Sequence, residues 1–277
     1  MGAVILGLTG CAPMNRVDPP TPSANARPAD PNLVWRDDFN GSAGTAPDAS
    51  HWTYDIGGTG WGNSELEYDT KSSANIAEDG KGHLAISARR DDGTKTCWYG
   101  TCQYTSARIH TGGKFDITYG RIAARMKLPA GQGLWPAFWM LEQAAMTGPV
   151  QQPGEIDVME NIGREPSTIH GSLHGPSESG SNPPSGIYTL ADGERFSSAF
   201  HTFAIDWTPK SISFSVDGKP YEVQTAKTTG ATTWVFDRPF FLVLDLAVGG
   251  NWPGSPDGTT TFPAIMLVDW VAVYKTD

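Results

Sequence analysis

The sequence predicts an all-β protein, a sandwich of two antiparallel sheets with a cleft on one face. Three observations predict it. Short runs alternating apolar and polar residues recur along the chain, separated by turn residues. The 277 residues include 32 Gly and 21 Pro, enough to punctuate many turns. No long amphipathic helical period and no internal repeat is present. A hydrophobic fraction of 39% supplies a sizeable core. The net charge of −10 comes without a basic stripe, which argues against nucleic acid as a partner. The ten Trp offer flat faces for core packing or for a sugar ring.

In chain order, residues 1–10 (MGAVILGLTG) are apolar and too short to span a bilayer as a helix. Followed by Cys11, Leu8-Thr9-Gly10 resembles a bacterial lipobox, in which the chain is cleaved before a cysteine that is then acylated. A plain cleaved secretion signal is the alternative. The segment lacks the Lys or Arg that opens such signals, which a start upstream of Met1 would account for. Residues 11–32 are Pro-rich and aperiodic, an extended tether. Residues 33–277 are expected to form the β-sandwich domain. The expected location is therefore extracellular, secreted or lipid-anchored at the bacterial cell surface, with membrane contact only through Cys11. The domain is expected to be a monomer.

Within the domain, HLAISAR (83–89) alternates, and Cys97 and Cys102 bracket a short loop suited to a hairpin disulfide in an oxidising compartment. A C-x4-C pair without further ligands is a poor zinc site. In GRIAARMKL (120–128), Ile122, Ala124, Met126 and Leu128 share one face. TFAIDW (202–207), SISFSV (211–216) with its Asp217-Gly218 turn, FFLVLDLAV (240–248) and IMLVDWVAVY (265–274) are further strands. GGTGWG (57–62) lacks a strand–helix context for a nucleotide loop and reads as a rim over the cleft. In GLWPAFWML (133–141), Trp135 and Trp139 share a face, as do Phe138 and Met140.

The chemistry centres on GEIDVMENIG (154–163). Glu155 and Asp157 share one strand face, with Ile156 and Val158 behind them. Strict alternation would turn Glu160 inward. A β-bulge at Val158-Met159 would return it to the acid face. Three aligned carboxyls suit glycoside cleavage, which needs one acid protonated and one ionised. A solvated acidic edge and a divalent cation site are the other readings. TIHGSLH (168–174) follows, with Thr168, His170, Ser172 and His174 on one face. A pair of His four residues apart on a strand is too widely spaced for one metal, so a polar cleft wall is expected.

The chain resembles glycoside hydrolase family 16. The likeness rests on the bulged E-x-D-x-x-E at Glu155, Asp157 and Glu160, which marks the laminarinase branch; the lichenase branch has one residue fewer. It extends through VWRDDFNG (34–41), GWGNSELEY (60–68), LWPAFWML (134–141), HGSLHG (170–175) and GGNWPG (249–254). The resemblance implies a β-jelly-roll sandwich with a concave cleft. It implies retaining endo-hydrolysis of internal β-1,3-glucosidic bonds of laminarin-type β-glucans, with no catalytic cofactor. Glu155 would be the nucleophile, Glu160 the general acid/base and Asp157 the assisting acid. Trp135, Trp139, Asn75, Glu65, Arg108 and His174 would bind the polysaccharide. A structural calcium would take Asp38, Gly82 and Asp269, with Asp38 standing where the family usually has Glu. A β-glucan-binding module and a transglycosylase on the same fold are the alternatives.

Overall fold

The alternating runs become strands whose faces fall as the alternation predicts. In Gly120–Lys127, Ile122, Ala124 and Met126 are fully buried, while Arg121 and Arg125 reach Asp206 and Asp269 on the outer side. The computed structural model describes residues 1–2, 30–148, 153–176, 185–191, 193–229 and 234–276. Asn32–Asp277 form one compact unit. The expected signal segment, its Cys11 and most of the tether lie outside the described residues.

The described strands assemble two main sheets. The cleft sheet has seven strands in the order Ser185–Thr189, Thr168–His174, Glu155–Glu160, Leu134–Glu142, Phe240–Val248, Arg108–His110 and Thr53–Asp55. The second sheet has ten strands, with Gly120–Lys127 and Ala264–Tyr274 at its centre. The architecture is the expected all-β jelly-roll sandwich. One pairing departs from the antiparallel rule: Glu67–Asp69 runs parallel to Tyr104–Ser106. The only helix among the described residues is the single turn Gln143–Met146.

The core lies between the sheets. Phe138, Met140, Ile156, Leu242, Leu244 and Leu246 face Ile122, Met126, Phe203, Ile205, Val271 and Val273 within one buried cluster. Apolar burial on this scale contributes most of what holds the sandwich, at about 1.5–3 kcal/mol for each large side chain. It fixes the strand registers, because a slip of one residue would exchange the core face for the cleft face.

The bulge forms on the acid strand. Against Leu134–Glu142, Trp139 opposes Asp157, Phe138 opposes Met159 and Ala137 opposes Glu160, so Val158 has no partner of its own. Against Thr168–His174 the register also shifts between Asp157 and Glu160. Val158 and Met159 are both buried in the core. Two consecutive apolar side chains can enter the core only where the pleat is interrupted, and that interruption returns Glu160 to the face of Glu155. After the strand, Gly163 lies against Gly131, and a Cβ there would meet the Gly131 carbonyl at 2.4 Å. Only glycine permits that approach.

The Cys97–Cys102 disulfide closes a small hairpin, Thr96–Cys97 with Gly100–Thr101. The hairpin packs on the rim segment beside it. The Trp98 indole N–H donates to the Glu65 carbonyl at 2.7 Å, and the Tyr99 hydroxyl donates to the Leu66 carbonyl at 2.7 Å.

Candidate active site

Five elements converge on one cavity of about 250 Å³. The rim supplies Trp61, Asn63 and Glu65, and Arg108 comes from a neighbouring short strand. Leu134–Glu142 contributes Trp135, Ala137, Trp139 and Leu141; the acid strand contributes Glu155, Asp157 and Glu160; Phe240–Val248 contributes Asp245 and Ala247. A row of paired residues crosses the floor: His170, Glu160, Ala137, Asp245, Arg108 and Asp55. The sheet thus brings together residues up to 190 positions apart, from Asp55 to Asp245.

The three acids sit in unlike surroundings. Asp157 is buried and pairs with His174 Nε2 at 2.9 Å; the same nitrogen lies 3.8 Å from Glu155 Oε1. Glu160 accepts a hydrogen bond from Trp135 Nε1 at 3.0 Å. Burial, then the charge of Asp157, pushes the Glu155 carboxyl up to about 8, while His174 and Arg108 pull the other way. Burial, Asp157 and Glu155 raise Glu160 well above the usual carboxylate range, and no cation offsets them. Burial disfavours the charged form of His174, yet its bond to Asp157 and the charges of Asp157 and Glu155 raise it to about 9. Of two coupled acids, the one facing cations ionises first. His174 and Arg108 thus favour the ionised form of Glu155, whereas Glu160 is flanked by other acids and the Trp135 N–H.

This pairing carries a pH prediction. The His174 imidazolium lowers the Glu155 pKa, so removing it raises that pKa further. His174→Asn is expected to move the acid limb of kcat/KM to higher pH, by roughly one unit. A pH profile of the variant beside the parent measures it. An unmoved acid limb would remove His174 from this role.

The remaining expected binding residues fall differently. Glu65 lines the cavity and accepts from Asn63 Nδ2 at 3.1 Å. Arg108 pairs with Asp55 at 2.9 Å, and its guanidinium lies 4.9 Å from the Trp61 ring centre and 4.7 Å from that of Trp139. Trp135 and Trp139 both line the floor, and Trp252 meets Trp135 and His170 edge-on. Asn75 does not join them. It is buried, donating to the Ser87 carbonyl and Thr105 and accepting from Thr70. Its polar atoms satisfy a structural network and do not line the cavity.

The two acids expected to hold calcium are both ion-paired in this structure. Asp38 accepts from Arg36 Nε at 2.8 Å, and Asp269 accepts from Arg125 Nη1. Asp269 is the extra residue where the register shifts between Arg125 and Met126, which presents it to that arginine. Each carboxylate is thus paired with a guanidinium group, and calcium at Asp38, Gly82 and Asp269 remains an expectation of the family resemblance alone. Among the described residues, one group of three or more His, Cys, Asp or Glu converges closely enough for a metal: Glu155, Asp157 and His174.

Sequence reasoning missed Trp61, Asn63, Trp252 and Asp245. Asp245 did leave a signal, as the one acid in the apolar run FFLVLDLAV (240–248).

Comparison with known proteins agrees with this geometry. Residues 63–272 match the model of Glycosyl hydrolases family 16. A beta-glucanase of Rhodothermus marinus is 40% identical over 255 residues, covering 88% of this chain and 85% of that one. The laminarinase catalytic domain of Thermotoga maritima superposes with a TM-score of 0.81 at 42% identity, covering 88% of this chain and 98% of that one. The endo-β-1,3-glucanase of Pyrococcus furiosus superposes at 0.80 with 45% identity, covering 88% and 94%.

Proposed function

The chain belongs to glycosyl hydrolases family 16, and from that premise we propose how its cleft works. The protein is a glycoside hydrolase that cleaves internal β-1,3-glucosidic bonds of β-glucans. The observation that carries the reading is the bulged acid strand, with two glutamates on one face and unequal electrostatic surroundings. Glucanase relatives over most of the chain support the substrate class. A binding module would not need a proton-holding acid facing an ionised one, so the enzyme reading is preferred.

Glu160 protonates the glycosidic oxygen while Glu155 attacks the anomeric carbon, and the leaving sugar departs as an alcohol. The resulting glycosyl ester on Glu155 is opened by water, and Glu160, now ionised, takes the water's proton. Asp157, held by His174, fixes Glu155 and keeps the local field negative as positive charge develops on the sugar. Two carboxyls supply all the proton and nucleophile chemistry, so no cofactor is required. Trp135 and Trp139 present flat platforms to the sugar, and Glu65 and Arg108 face its hydroxyls. The configuration at the anomeric carbon is retained.

The Cys97–Cys102 disulfide supports an oxidising, extracytoplasmic location. None of the described helices is long and apolar enough to cross a membrane. Lipid attachment at Cys11 is the proposed anchor.

The test is a polysaccharide panel of laminarin, lichenan, agarose and xyloglucan, with reducing-sugar release and product linkage analysis. Laminarin is expected to be cleaved fastest, into mixed-length β-1,3 oligosaccharides. Release of single glucose units alone would contradict internal cleavage, and faster turnover of agarose or xyloglucan would contradict the substrate.

A further inference from the structure

We propose that Asp245 is a substrate-binding residue of the cleft floor, whose Oδ2 accepts a hydroxyl of the glucosyl unit resting against Trp139. The inference rests on the glucanase reading and extends it to a residue the acid motif does not include.

Asp245 is the sixth of nine residues in Phe240–Val248, a strand buried along its whole length. Such a strand gains nothing from a carboxylate placed for packing, since an acid seldom lies fully buried without a partner or a task. Its neighbours Leu244 and Leu246 point into the core, so alternation turns Asp245 to the cleft, where it lines the cavity. Only 8% of the residue is exposed.

Its two oxygens are used unequally. Oδ1 accepts the Trp139 indole N–H at 2.6 Å. Among the described residues, Oδ2 has no hydrogen-bond donor in the protein; Arg108 gives its hydrogen bond to Asp55, while its charge also acts on Asp245. A carboxylate on the cavity wall with one oxygen committed and the other open is free to accept from a ligand. A sugar hydroxyl would complete it.

The neighbouring floor repeats the design. Trp135 Nε1 donates to Glu160 as Trp139 Nε1 donates to Asp245. Ala137 pairs with Glu160 on one side and with Asp245 on the other, so the two carboxyls stand two strand spacings apart, roughly 9–10 Å. The Ala137 and Ala247 methyls leave the floor between them low. Asp245 thus stands beside the second platform as Glu160 stands beside the first. Burial pushes the Asp245 carboxyl up to about 7, and Glu65 and Asp55 add to the rise, while Arg108 and the Trp139 N–H favour its ionised form.

The experiment uses the full chain carrying Glu155→Gln and titrates it calorimetrically with laminaritetraose, a short β-1,3-linked glucan. Asp245→Asn is then added alone, and again with Trp139→Phe, which keeps a ring but removes the indole N–H. The expected result is an affinity loss of about tenfold on Asp245→Asn in both backgrounds. Unchanged affinity in both overturns the proposal. A loss beside Trp139 that shrinks below about twofold with Trp139→Phe also overturns it, because Asp245 then acts only through the indole. If the Asn variant loses its cooperative melt, Asp245→Ser is read by the same criteria. Wild-type turnover of laminarin separates the two levels. Turnover without an Asp245 effect overturns this inference alone, whereas no turnover overturns the glucanase reading and this inference with it.

Discussion

Replacing Glu155 with Gln is expected to lower kcat on laminarin by at least about 10⁴-fold. The amide keeps the shape of the side chain but cannot form the glycosyl ester, and no other carboxyl occupies its place. The same change should stabilise the fold near neutral pH. Glu155 is raised from its ordinary 4.5 to about 8, so the folded state binds its proton more tightly than the unfolded state does. Stability therefore falls as pH rises from 4.5 toward 8, and a neutral amide escapes that loss. At pH 7 the melting temperature of Glu155→Gln should rise by about 2–4 °C. Steady-state kinetics and calorimetric melts at pH 5 and pH 7 check both parts, and the stabilisation should be smaller at pH 5. A variant that is both active and no more stable would leave Glu155 without the strained, charged role assigned to it.

Glu160→Gln is expected to fail differently. With laminarin, whose leaving group is a sugar alcohol, loss of the general acid should cost about 10²–10⁴-fold. An aryl β-laminaribioside with an acidic phenol departs without protonation, so its first step should be nearly spared. The second step still needs a base for water, and azide, which needs none, should restore turnover and yield a glycosyl azide. No azide rescue together with equal losses on both substrates would contradict the acid/base role. The two glutamates are chemically identical in sequence, and their proposed division of labour rests on the surroundings. His174 and Arg108 favour an ionised Glu155, while the buried Glu160 meets only the Trp135 N–H and other acids.

Much of this was legible in the sequence because it is written in alternation. Glu160 arrives one residue out of phase with Glu155 and Asp157, and a bulge is the simplest repair; the structure leaves Val158 unpaired at that point. The faces of Leu134–Glu142 and Thr168–His174 follow the same rule, with Phe138, Met140, Ile169 and Leu173 inside. The residues that escaped depend on pairings far apart in the chain. Nothing near Asn75 in sequence reveals that Thr105 and the Ser87 carbonyl will enclose it. Arg36 and Arg125 neutralise Asp38 and Asp269 only because of how the second sheet pairs and bulges. Trp61 reaches the cleft from a loop in which it takes a φ of +46°, a conformation that no periodic pattern encodes.

On the proposed mechanism the bulged strand presents Glu155 as the nucleophile, with Glu160 across the scissile bond. The most direct test is to incubate the protein with a 2-deoxy-2-fluoro-β-laminaribiosyl fluoride, which forms the glycosyl ester but hydrolyses slowly, and to map the adduct by peptide mass spectrometry. One disaccharide per chain, attached to Glu155, is the predicted result. Attachment to Asp157 or Glu160, or full activity on laminarin with no covalent adduct, would contradict it.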